Sequence, residues 1–384
     1  MTNTLLAAAH DLQAFLSERS DEIEANATLP REVVDAVAPS GAFRQYAPAA
    51  IGGPGVTAWE SLQVIEAFGY ADSAVGWCVM IGSTTSLLAN FLDPEIATKL
   101  FGDGAAIGGG FAMPKGKAQA VDGGLSVTGT WQWGSGTKHC TTIGGGAQVV
   151  DAAGEFAPRS DGLAMPFVFF DPADVTFIET WDVAGLSGTG SVDYQVTNAF
   201  APEGHWVEIG TSPARFDDPY ARISFYGLLA SGIAAAAVGI GRRAIDELID
   251  LAATKKPQGS RKPLAARSAT QSQVAEAQAR LGAAWALMER EIEAAWESSV
   301  AGDEPDGEQR RRIRMAATHA TQTAASVAES MYKCGGGAAV YRTSPLQRCF
   351  RDASVAAQHA MVAPRIFEVT GRMALGLETD IRML

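Results

Sequence analysis

Apolar residues along the chain change their spacing twice, and the three regimes predict three kinds of structure. Over the first hundred residues Leu5, Leu12, Leu16 and Ile23 recur near one helical face, Pro30 opens a short helix at Arg31, and Gly41 closes it. The turn IGGPG at 51–55 precedes two further apolar helices, predicted over 58–70 and 73–92. From Gly102 to Gly210 glycines punctuate short runs rich in β-branched and aromatic residues, such as LSVTGTWQW, PFVFF, VTFIE and VDYQVTNAF. Alternation of this kind suits half-buried antiparallel strands in a small barrel or sandwich. The helical period returns after TSPARFDDPY, with Val274, Ala277, Leu281, Ala284, Met288, Ile292 and Ala295 three or four residues apart. Breaks at KKPQGSRKP, AGDEPDGE and KCGGG divide this region into four long segments, which predicts an antiparallel, Ala-rich bundle. The expected organisation is a helical domain over 1–103, a β-barrel domain over 104–212 and a four-helix bundle over 213–384, an α+β chain that is mostly α.

Composition narrows the function classes. The 384 residues are 47% hydrophobic and 19% charged, a globular balance with ample apolar side chain to bury. A formal charge of −13 argues against a nucleic-acid partner, since phosphate binding needs a concentrated basic face. Cys78, Cys140, Cys334 and Cys349 are scattered, with no CxxC pair or Cys/His ligand cluster, so reduced thiols and a cytoplasmic location are expected and no metal site is. The first 26 residues lack a basic n-region, and Asp11, Glu18, Asp21 and Glu22 interrupt any apolar core, so they read as an amphipathic helix rather than a signal peptide. The most apolar run, 225–240, falls short of the roughly 20 residues a bilayer requires and reads as a buried bundle helix.

Three motifs stand out in order. VDGGLSVTGTWQWGSGTKH occupies 121–139, WDVAGLSGTGSVDYQVTNAFAPEGH occupies 181–205, and KCGGGAAVYRTSPLQRCFRDASVAAQH occupies 333–359. No GxGxxG follows a strand and no Walker sequence occurs, so Rossmann-type dinucleotide binding is not indicated. Together the motifs and the α, β, bundle order resemble the acyl-CoA dehydrogenase superfamily over nearly the whole chain. True dehydrogenases carry a catalytic glutamate about two helical turns after the Arg-Asp pair, and counting from Asp352 puts Ala360 there. Members that place the base in the first bundle helix are not matched either, because SFYGLLASG contains no carboxylate.

Beside the empty position stands His359, and with WxxxSG and GLxGTGS this pattern resembles the two-component flavin monooxygenase branch. That resemblance implies reduced FAD or FMN delivered by a separate reductase, a small cyclic or aromatic substrate, and a homotetramer. It implies catalytic roles for His359 and for Ser135 near flavin N5, with Trp77 on the substrate side. It also implies flavin contacts from Trp131, Trp133, Gly136, Gly335, Gly336 and Arg348. Many members carry a second histidine after the substrate-side tryptophan; here CVMIGSTTS follows Trp77, which leaves phenol deprotonation without its usual base.

Each residue also has a plainer reading. His359 could be a core histidine, Ser135 simple turn chemistry, and the two tryptophans barrel core. His139 and His205 flank strand ends and read as structural, and His10 and His319 as surface or bundle positions. Gly335, Gly336 and Gly337 could be a hinge. Arg348 and Asp352 lie four apart, which predicts an i,i+4 ion pair organising an interface. Lys255, Lys256, Arg261 and Lys262 read as a solvated loop able to attract a flavin phosphate. The competing functions are an acyl-CoA dehydrogenase-like FAD enzyme with a relocated base, and a catalytically silent flavin-binding subunit.

Overall fold

A computed structural model describes residues 4–384; the helical reading of residues 2 and 3 lies outside the described residues. Six helices come first: α1 (Thr4–Glu18), α2 (Ser20–Asn26), α3 (Arg31–Val37), α4 (Ala58–Ala71), α5 (Ser73–Ser86) and α6 (Pro94–Phe101). A reciprocal cap starts α4: Thr57 Oγ1 accepts from the Glu60 N–H while Glu60 accepts from the Thr57 N–H. The helix expected over 73–92 stops at Ser86 and tightens into a 3-10 turn over Leu87–Phe91.

The middle region is one seven-stranded sheet of β1 (Gly108–Val121), β2 (Gly124–Gly134), β3 (Thr142–Val150), β4 (Phe167–Phe170), β5 (Thr176–Ile178), β6 (Val192–Pro202) and β7 (Trp206–Val207). The order is β5-β6-β2-β1-β3-β4-β7. The sheet is mixed rather than wholly antiparallel, because β1 pairs with β3 in parallel. The β2/β6 register breaks between Trp131 and Gly134, and this break matters for the site.

The last region holds α7 (Phe225–Thr254), α8 (Ser268–Val300) and α9 (Gly307–Gly335), followed by α10 (Pro345–Ala356) and α11 (Arg365–Ala374). Three long helices form, and the fourth expected segment is split by the turn over 357–364. The apolar run from 225 belongs to a continuous 30-residue helix, long and apolar enough to cross a membrane by composition alone, yet its most apolar window is 83% buried against protein. α7 packs onto α4 so closely that a Cβ on Gly239 would stand 2.2 Å from the Glu66 carbonyl oxygen. Small residues are therefore what bring the N-terminal helices against the bundle.

A hydroxyl chain and an imidazole on one tryptophan

The start of α5 is fixed from three directions. Asp72 caps it, accepting from the Ala74 and Val75 N–H groups at 2.9 and 3.1 Å. Ser73 donates to Asp352 of α10, whose other carboxylate oxygen accepts from the Leu186 N–H at 2.7 Å. One turn along the helix, Trp77 is thereby aimed at the turn that follows β2, and its Nε1–H donates to Ser135 Oγ at 3.0 Å.

The Ser135 turn is shaped by backbone. Gly136 has φ +68 and donates its N–H to the Thr189 carbonyl at 2.8 Å. A Cβ on Gly136 would lie 2.9 Å from His139 Nε2, so glycine also lets the turn rest on that imidazole. His139 is a structural support, as expected; burial pushes its pKa down to about 4 and leaves Nδ1 without a hydrogen-bond partner in the structure. His205 likewise makes no hydrogen bond through its ring.

Ser135 Oγ is 2.7 Å from Ser191 Oγ, which is 2.7 Å from Thr189 Oγ1, which donates to the Leu186 carbonyl at 2.8 Å. A hydroxyl has one proton, so the chain has one consistent direction. Thr189 uses its proton on Leu186 and must accept from Ser191. Ser191 must then accept from Ser135. Ser135 donates to Ser191, accepts from Trp77, and retains one unused lone pair.

Trp77 also meets His359, which lies in the turn after α10 with its ring edge-on to the indole and the centroids 5.8 Å apart. Its Nδ1 accepts from the Met361 N–H at 3.2 Å, which places the proton of the neutral ring on Nε2. Burial, reinforced by the positive charge of Arg314, pushes the ring's pKa down to about 4, so at neutral pH it is an uncharged donor. Arg314, on α9 and only 1% exposed, holds the same turn by donating to the Met361 carbonyl at 2.9 Å and also donates to the Met383 carbonyl. Among the described residues no carboxylate pairs with it, and burial lowers its pKa to about 10. Among the described residues no carboxylate is a hydrogen-bond partner of Ser135, Trp77 or His359.

Trp77, Ser135 and His359 thus come together from three regions of the chain. Other expected contacts separate. Trp131 is 0% exposed, donates to the Gly146 carbonyl at 2.8 Å and stacks on Tyr194 at 5.3 Å, so it is sheet core rather than a flavin face. Trp133, at φ +60, is 57% exposed beside Phe111 and remains a flat aromatic surface next to the Ser135 turn. Arg348 does not pair with Asp352: it binds Glu24 at 2.8 Å and also Asp21, both of α2, while Asp352 is taken up by Ser73 and Leu186. Two carboxylates already occupy its guanidinium, which leaves little capacity for a flavin phosphate.

Gly335 and Gly336 end α9 some 21 residues beyond Arg314, about 30 Å along the helix axis. Lys255 donates to the Gly335 carbonyl, and Gly336, at φ +55, and Gly337 are exposed. This glycine turn is too far along the helix to touch its own chain's Ser135 and His359. Sequence reasoning assigned no role to Thr189, Ser191 or Arg314; the first two were visible only as part of GLSGTGS.

The residues at the site fit a flavin: an exposed indole face at Trp133 and a hydroxyl with an unused acceptor position on the turn that Gly136 shapes, with a neutral N–H donor brought in from the turn after α10. Fold and site define an acyl-CoA dehydrogenase-like flavoprotein. The model of the acyl-CoA dehydrogenase N-terminal domain matches residues 5–101, and that of the C-terminal domain matches 231–364. The chain is 31% identical to an indole-3-acetate monooxygenase of Pseudomonas putida, over 93% of this chain and 90% of that one. It is 27% identical to the flavin-dependent monooxygenase, oxygenase subunit HsaA, of Rhodococcus jostii, over 94% and 96%. The crystal structure of 3-HSA hydroxylase from Rhodococcus sp. RHA1 superposes with a TM-score of 0.89 at 25% identity, covering 99% of both chains. The chain belongs to the flavin-dependent monooxygenase branch of the acyl-CoA dehydrogenase family.

Proposed function

We propose that this protein is the oxygenase component of a two-component monooxygenase that takes reduced FAD or FMN from a separate reductase and hydroxylates a small aromatic or cyclic compound. The observation that carries the reading is that Trp77 meets both Ser135, through its indole N–H, and His359, ring against ring, with no carboxylate among the described residues hydrogen-bonded to any of the three. A dehydrogenase of this fold needs a carboxylate base, and Ala360 is an exposed turn residue.

Reduced flavin supplies the electrons and the position at which oxygen is activated. The protein's part is placement and dryness. Ser135 offers an oxygen lone pair, and His359 offers a proton held at Nε2 as a hydrogen bond to bound oxygen. Because the ring is neutral, it donates without releasing a proton readily, which favours oxygen transfer over loss as hydrogen peroxide. The buried indole of Trp77 touches both and helps exclude water. The glycine turn at 335–337 would serve a flavin held by a neighbouring copy, which accords with a homotetramer; a cytoplasmic location belongs to the same reading.

The test is anaerobic loading with reduced flavin, followed by oxygen and an arene such as indole. The expected products are hydroxylated arene and oxidised flavin with little hydrogen peroxide. Bleaching of bound FAD by an acyl-CoA under anaerobic conditions would instead establish a dehydrogenase. Failure to bind either redox form would establish a silent subunit.

A further inference from the structure

The direction of the hydroxyl chain has a chemical consequence. Ser135 has committed its proton to Ser191, and Ser191 its own to Thr189, because Thr189 is anchored on the Leu186 carbonyl. All three side chains are buried, so water does not readily exchange for these partners. Ser135 therefore meets any ligand as a hydrogen-bond acceptor and never as a donor, unless the chain is broken.

Reduced flavin carries a hydrogen on N5 and oxidised flavin a lone pair there. An acceptor-only oxygen matches the first and opposes the second. We propose that Thr189 and Ser191, neither of which touches the ligand, are specificity-determining residues that make the site select reduced over oxidised flavin by fixing the polarity of Ser135. The proposal rests on the reading above that the flavin N5 edge lies on the Ser135 turn. It assigns to Leu186, Thr189 and Ser191 a function beyond closing the loop. Selection of this kind suits an oxygenase that must capture reduced flavin and release the oxidised form.

The chain can be cut at two places. Thr189→Val keeps the shape and the Thr189 backbone carbonyl that holds Gly136, but removes the acceptor for Ser191. Ser191→Ala removes the acceptor for Ser135 directly. In Ser191→Ala the Ser135 proton is freed outright, and in Thr189→Val Ser191 is free to reverse and donate to Ser135; in either variant Ser135 can donate to N5 of oxidised flavin. The experiment is anaerobic equilibrium titration of wild type and both variants with FAD and with FMN, each oxidised and dithionite-reduced, alongside circular dichroism to confirm folding.

Wild type is expected to bind reduced flavin more tightly, and each variant to narrow the reduced-to-oxidised affinity ratio by about tenfold, mainly through tighter binding of the oxidised form. By linkage the midpoint potential of the bound flavin would fall by about 30 mV per tenfold. If Thr189→Val does not fold, Ser191→Ala carries the test. A ratio unchanged in the folded variants overturns the proposal while leaving the oxygenase reading intact. Absence of flavin binding by wild type in both redox states overturns that reading and the proposal with it.

Discussion

Two polar clusters hang from the same helix, one turn apart, and they behave differently. At Ser73 the buried carboxylate of Asp352 joins α5, α10 and the loop at Leu186, with both of its oxygens occupied. At Trp77 the hydroxyls of Ser135, Ser191 and Thr189 hold the same loop by its other end, yet one lone pair and one imidazole N–H remain unused among the described residues. A cavity lined by Ser17, Asp72, Arg243, Cys349 and Asp352 lies on the acidic side and contains none of the three site residues. Satisfied groups fix where elements meet. Unfilled capacity on a rigid frame is what a ligand can use.

The sharpest way to break this contrast is to remove the strut. Asp352→Ala leaves the Ser73 hydroxyl and the Leu186 N–H without an acceptor in a buried place, and should lower unfolding stability by about 3 kcal/mol. Denaturant titration checks it, and a loss below about 1 kcal/mol would mean that Asp352 does not carry the junction.

His359→Gln should do the reverse, with a small effect on the fold and a large one on chemistry. Arene hydroxylated per flavin oxidised should drop by about tenfold to a hundredfold, with hydrogen peroxide making up the difference. The affinity for reduced flavin should change by less than about threefold. If affinity and coupling fall together, His359 holds the ring in place rather than assisting oxygen.

The two clusters also respond to acid with opposite signs. The pKa of His359 is depressed from the ordinary 6.5 to about 4, so its stabilising contribution is full above about 6.5 and is lost as pH falls towards 4. Asp352 is raised from 3.8 to about 6 by burial, so its contribution is present below about 4 and is lost as pH rises through 6. His359→Asn removes only the first effect. Between pH 7 and pH 5 the variant should therefore lose about 1 kcal/mol less stability than wild type, measured by urea midpoints at the two values.

The smallest expected effect is at Arg348. Arg348→Met breaks ion pairs to α2 that are partly solvated and should cost about 1 kcal/mol. Flavin affinity should be unaffected, and a marked weakening would restore Arg348 to the cofactor site.

The three-part architecture was legible in periodicity, because a helical face and an alternating strand leave different spacing in the sequence. Trp77, Ser135 and His359 were legible only through the motifs, and the fold is what brings them together. Trp131 and Trp133 show what pattern alone misses. Two residues apart on a strand, they should share a face, but Trp133 adopts φ +60 where the β2/β6 register breaks, so one indole is sealed inside and the other is exposed. Arg348 was expected to find its neighbour four residues away, and its carboxylates instead come from α2, 324 and 327 positions distant. Local spacing does not foresee such a competitor, nor a relay whose members sit 56 and 2 residues apart.

The central claim is that Ser135 and His359, both in contact with Trp77, face one flavin. A crystal structure of the protein soaked anaerobically with reduced FAD tests it most directly. The isoalloxazine should lie against Ser135, with His359 Nε2 directed at the face where oxygen reacts. A flavin bound elsewhere, or a ring separated from His359 by intervening protein, would contradict the account.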